Sequence, residues 1–168
     1  MHRSSSYILG ILFTSLAASG CGDTPASVPS TAPSAEFRLA TEPADALEVL
    51  DAKEQAKDGA AVIVVGRIGG GIMPWIEGRA AFLLVDTRIQ ASCEDGEECK
   101  MGCPGCSKEM LEASTMVKFL GEDGKVLPVD ARTLLGVKEQ ETVVIEGIAS
   151  RDLAGNVSIT GKGIFIRR

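Results

Sequence analysis

The hydrophobic pattern of the chain changes character three times. Residues 8–18 form an unbroken apolar run of 11 residues behind Arg3. Residues 22–35 show no periodicity and carry Pro25, Pro29 and Pro33 among Ser, Thr and Ala. Such a composition predicts an extended, disordered tether. Residues 41–58 predict a helix, with Thr41 or Glu42 near its start, Pro43 in its first turn and Gly59 after its end. Leu47, Leu50 and the stem of Glu54 give that helix one narrow packing stripe.

From residue 60 the period shortens to that of strands. Ala61-Val62-Ile63-Val64-Val65-Gly66-Arg67-Ile68 is β-branched and nearly continuous, as expected for a strand buried on both faces. Residues 79–86 and 115–119 predict two more strands. Beyond a turn at Gly121–Gly124, residues 125–127 extend the third. Asp130 is placed to N-cap a short helix over 131–135 that Gly136 ends. Residues 142–149 and 157–166 predict a hairpin turning at Asp152–Asn156. Three strands, a short helix and two strands is the order of a mostly β, five-stranded OB-fold-like Greek-key barrel, here with an added N-terminal helix. Gly66, Gly147 and Gly161 inside the strands suit the coiling that closes a small barrel.

Four segments carry a family resemblance: Val65-Gly66-Arg67-Ile68-Gly69-Gly70, Glu77-Gly78-Arg79-Ala80-Ala81-Phe82, Asp130-Ala131-Arg132-Thr133-Leu134-Leu135-Gly136 and Gly161-Lys162-Gly163-Ile164-Phe165-Ile166. Over roughly residues 45–168 the chain resembles a group of exported bacterial lipoproteins with an OB-fold-like domain. The resemblance implies the fold and an exported location. It brings no activity and no catalytic residue.

The N-terminus agrees with export. Eleven apolar residues fit a signal peptide and fall short of the roughly 20 that a membrane-spanning helix requires. Ala18-Ser19-Gly20-Cys21 resembles a lipobox, although Ala18 stands where leucine is usual. The resemblance implies cleavage before Cys21 and acylation of its thiol, palmitate-type chains anchoring the product to a membrane; the alternative is an ordinary secretory peptide. Gly22, in place of a retaining aspartate, favours the outer membrane of the cell envelope. The expected organisation is a signal peptide over 1–20, a tether over 21–40 and a domain over 41–168.

Cleavage sharpens what composition excludes. Loss of Arg3 leaves 16 Lys and Arg against 23 Asp and Glu, a net charge of −7 on 148 residues. So acidic a chain does not gather nucleic acid by field alone. The only histidine, His2, and the only tyrosine, Tyr7, both lie before Cys21. Imidazole-based acid–base catalysis, a Ser-His-Asp triad and His-ligated zinc or haem are therefore excluded from the product.

The chemically loaded segment is an insertion over 92–110, with Cys93, Cys99, Cys103 and Cys106 spaced C-x5-C-x3-C-x2-C. Two readings stand. An oxidising compartment and an even cysteine count favour two disulfides. Four thiolates also suit a tetrahedral zinc, or copper, with Cys103-Pro104-Gly105-Cys106 as a knuckle-like turn. Thiol-redox activity is a third reading, weakened because no strand-to-helix setting surrounds the Cys103–Cys106 pair. Glu94, Asp95, Glu97 and Glu98 read as a solvated stretch of this loop.

An OB barrel binds through its second and third strands and the adjoining loops. Here those elements are flanked by the glycine-rich stretch before Trp75, which is the only tryptophan. Trp75, with Arg67 and Arg79, is the candidate ligand contact; alternatively Trp75 and Ile76 fold down to cap the barrel. Arg67, Arg79 and Arg88 read as scattered and solvent-facing. Phe82, Phe119 and Phe165 fall at core-facing strand positions, which leaves no basic aromatic groove for single-stranded nucleic acid. The sequence thus predicts a non-enzymatic, lipid-anchored binding module for a small ligand or envelope protein, with no catalytic residues. Its alternative is a metal-binding or thiol-redox protein built on the four cysteines.

Overall fold

The computed structural model describes residues 35–69, 73–89 and 104–168, with backbone only for 104–107. Cys21, Cys93, Cys99 and Cys103, and the signal segment, lie outside the described residues. Six strands and three α-helices follow a 3-10 turn at Ala35–Phe37: β1 (Leu47–Glu48), α1 (Val49–Gln55), β2 (Ala61–Ile68), β3 (Ala81–Val85), α2 (Pro104–Glu112), β4 (Ser114–Phe119), α3 (Ala131–Leu135), β5 (Thr142–Arg151) and β6 (Val157–Ile166).

Strands β2 to β6 close into a barrel. β2 pairs antiparallel with β3 and with β5, β3 with β4, and β5 with β6, while β4 and β6 run parallel and complete the ring. This is the five-stranded OB-fold-like barrel that the strand order predicts, with α3 between its third and fourth barrel strands. The register buries one face of each strand. Val62, Val64 and Ile68 of β2 meet Phe82 and Leu84 of β3, Val117 and Phe119 of β4, and Ile145 and Ile164 of the last hairpin.

The barrel corrects one expectation at β2. Only its inward face is uniformly buried; Ala61 is exposed, and Ile63 and Arg67 are half-buried, because a lone barrel turns its outer face to water. Strand glycines act mainly by making room. A Cβ on Gly66 would sit 2.5 Å from Leu84 Cγ and 2.9 Å from the Val85 carbonyl. One on Gly147 would strike the Thr160 carbonyl, where the β5–β6 register shifts between Glu146 and Gly147.

The local signals at α3 hold. Asp130 accepts a hydrogen bond from the Arg132 amide at 2.9 Å, and Gly136 closes the helix in the left-handed region at φ 62°. The final turn holds as well: the Asp152 amide donates to the Asn156 carbonyl at 3.0 Å, and Gly155 has φ 86°. Residues 125–127 do not extend β4 as a strand; Val126 makes a single bridge to Leu120.

The N-terminal third departs most from expectation. The helix expected over 41–58 is confined to Val49–Gln55, and residues before it form the short parallel strand β1 against Val64 and Val65. Asp45 at φ 59° breaks any helix through this region, a conformation that aspartate tolerates better than most residues. The helix packs by Val49 and Ala52, both buried, rather than by Leu50, while Leu47 packs partly buried against the same core from β1. Nor does the tether reach residue 40. Phe37 is buried edge-on against Phe119, with ring centroids 5.0 Å apart, and the Leu39 amide donates to the Ile164 carbonyl. Residues 35–39 therefore belong with the barrel, held by the burial of Phe37 and the Leu39 hydrogen bond.

Candidate functional site

The barrel has two unlike ends. At one end β3 leaves and β4 returns, so the cysteine insertion is rooted there. β3 stops at Val85, where its chain parts from β2, and α1 fills the gap with Val49 and Ala52. Glu48, in the N-cap position, makes no side-chain cap of its own. Its carboxylate reaches across instead, accepting from the Thr87 amide at 3.1 Å and the Thr87 hydroxyl at 2.6 Å. In exchange Asp86 accepts from the Leu50 amide at 2.9 Å, supplying the cap from the far side of the sequence.

Asp86 is fully buried, so its charge must be matched. Burial by itself would raise its pKa; the Arg88 guanidinium, with the Leu50 and Arg88 amides, reverses that and holds the carboxyl below its ordinary value. Arg88 Nε and Nη2 each lie 2.9 Å from the carboxylate oxygens, and Nη2 also reaches Asp51 of α1 at 3.4 Å. The outgoing root is thus tied to the start of α1 by three carboxylates, those of Glu48, Asp51 and Asp86, and an arginine.

The returning root is tied to the last turn of the same helix. Lys53 Nζ donates to the Glu112 carbonyl at 2.5 Å and the Ser114 carbonyl at 3.0 Å. Burial pushes its pKa down, with Glu112 pulling the other way. The Asp86 amide then donates to the Ala113 carbonyl at 3.0 Å, joining the two roots. The insertion, expected as a loop over 92–110, carries the helix α2 at Pro104–Glu112. Pro104 suits a first helical position, having no amide to leave unpaired. The turn expected at Cys103–Cys106 begins outside the described residues, while the backbone of Cys106 belongs to the first turn of α2. Among the described residues no group of three or more His, Cys, Asp or Glu is gathered to hold a metal.

The candidate ligand contacts separate. Arg67 is half-buried rather than solvent-facing: its Nη2 donates to the Ile89 carbonyl at 2.9 Å, at the outgoing root, and its buried Nε has no partner among the described residues. Trp75 and Arg79 belong to the other end, in the β2–β3 connection beside α3. Trp75 is half-buried, bridges Phe82 and packs on its ring at 5.9 Å between centroids, so it caps the barrel. Arg132 of α3 covers its other side at 5.4 Å, within cation–π range. Ile76 does not fold down with it: Ile76 stays 40% exposed, and Met73 is 74% exposed. Arg79 is exposed, while its carbonyl accepts from the Ala131 amide and so seats α3.

Asp86, Lys53 and Arg88 are the site residues that sequence reading misses. The signal available for Asp86 is an acidic residue ending an apolar strand; nothing local marks Lys53. Two open surface grooves, of about 400 Å³ along β2 and β5 and about 680 Å³ beside Arg38 and Arg167, touch none of Arg67, Trp75 and Arg79. Comparison with models of known protein families and with curated proteins finds no match to this chain.

Proposed function

We propose that the chain is an exported, lipid-anchored binding module whose working part is the cysteine insertion, with the barrel as its mount. The supporting observation is the double tie of α1 to both roots of the insertion. A buried carboxylate and a desolvated lysine are costly to place. Spending both on fixing two ends of one loop makes sense if the loop must be held in a set orientation for a ligand or envelope partner. Residues 1–21 supply the export and anchoring half of the reading.

Cys93, Cys99, Cys103 and Cys106 carry the chemistry under either form of the proposal. Two disulfides make the insertion a rigid recognition loop. A thiolate site for zinc or copper, or a redox pair, is the second form. It gains from the position of Cys106 in the first turn of α2, where helix amides favour a thiolate. Elemental analysis with a free-thiol count on the purified chain separates the two. Two disulfides and no metal establish the recognition loop; stoichiometric metal with four titratable thiols on chelation establishes the site. Palmitate labelling of wild type against Cys21→Ser tests the anchor, and retained label in Cys21→Ser would refute it.

A further inference from the structure

We propose that the α3 end of the barrel is a membrane-docking face, with Met73, Trp75 and Ile76 seated at the lipid headgroup boundary. The inference rests on the anchoring of Cys21 proposed above and adds the orientation of the domain on that membrane.

Two observations converge on this end. First, the chain enters the domain here: Phe37 packs on Phe119 at the end of β4, and Arg38 Nη1 donates to the Leu135 carbonyl at the last residue of α3. The 13 residues 22–34 separate that entry from Cys21, a span of about 45 Å when fully extended and roughly 20 Å on average for a flexible chain. A lipid on Cys21 therefore keeps this end, rather than the insertion end, nearest the bilayer. At such effective concentration a weak patch suffices.

Second, the exposed apolar side chains here are clustered. Met73 and Ile76 flank Trp75 within four residues, on a loop braced by the Leu83 amide donating to the Pro74 carbonyl at 2.7 Å. Leu111 and Leu153, the other exposed large apolar residues among the described ones, stand singly beside Glu109, Glu112 and Asp152. Isolated exposed leucines are ordinary; a tryptophan between two aliphatics on a braced loop is the composition of an interfacial contact.

The charge at this end is mixed: Arg38 and Arg79 have no carboxylate partner among the described residues, while Arg132 pairs with Glu77 and Asp130, and Arg167 pairs with Glu42. Docking in this orientation points the cysteine insertion away from the membrane.

Trp75 is the only tryptophan, so its fluorescence reads the face directly. The full chain, processed in cells, would be reconstituted into phosphatidylethanolamine/phosphatidylglycerol vesicles containing acyl-brominated lipid. The expected result is quenching of Trp75 that is lost in the Met73→Ser, Ile76→Ser double variant, with unchanged circular dichroism and an unchanged acyl mass on Cys21. Acylated wild type with no quenching, or equal quenching in the double variant, overturns the proposal while leaving the anchor intact. Acylated wild type whose Trp75 is shielded from iodide only when envelope protein is added overturns it in favour of a protein partner. A chain without acyl mass overturns the anchor; quenching by added vesicles would then still support the face, and its absence would remove both.

Discussion

The helices at the two ends of this barrel are capped in different ways. At the α3 end the caps are local, although Arg79 and Arg38 seat the helix from a distance: Asp130 caps α3 through Arg132, two residues away, and Gly136 closes it. At the insertion end the helix that matters, α1, is capped and braced by residues distant in sequence. Asp86 reaches Leu50 across 36 positions and Lys53 reaches Glu112 across 59. A cap built locally survives changes elsewhere in the chain; a cap built by exchange fails on both sides when one partner is lost.

The largest expected effect follows from that contrast. Asp86→Ala leaves the Leu50 amide uncapped and the Arg88 guanidinium without its buried partner, and should cost about 3 kcal/mol in urea unfolding. Asp130→Ala removes an ordinary N-cap and should cost about 1 kcal/mol. Equal losses in the two variants would erase the distinction between the ends.

Acid tests the same carboxylate. Asp86 titrates below its ordinary 3.8 when folded, so its contribution is fully present above that value. The contribution fades as pH falls through the lower folded value. Wild type should lose stability below about pH 4, and Asp86→Asn should follow a flatter curve. Part of the slope should remain in the variant, because Asp130 and Asp152 are lowered in the same direction.

Lys53→Met keeps the packing stem and deletes the two donors to the returning root. We expect about 1 kcal/mol of stability lost, together with roughly tenfold faster amide exchange confined to α2 and its junction with β4. Exchange accelerating equally at α3 would show that α1 supports the barrel as a whole rather than the insertion. Smallest of all, Met73→Ser with Ile76→Ser should change stability by no more than about 0.5 kcal/mol, since both side chains are exposed. A larger loss would mean that the loop packs on the barrel instead of presenting those residues.

The sequence by itself determined the barrel. Short apolar, β-branched runs at 61–68, 115–119, 142–149 and 157–166 mark strands because their side chains must enter one core, and Asp130, Gly136 and Gly155 mark turns because their chemistry acts within a few residues. The absence of histidine after His2 likewise excludes imidazole chemistry from residues 3–168. Tertiary structure decided what depends on partners distant along the chain. α1 starts at Val49 because Asp86 caps it there, and residues 35–37 join the barrel because Phe37 meets Phe119. Arg67 is drawn inward by the Ile89 carbonyl, and Trp75 lies between Phe82 and Arg132 while Met73 and Ile76 stay exposed. A capping carboxylate or a stacked ring is the same residue type wherever it falls, so only the folded chain could say which groups meet.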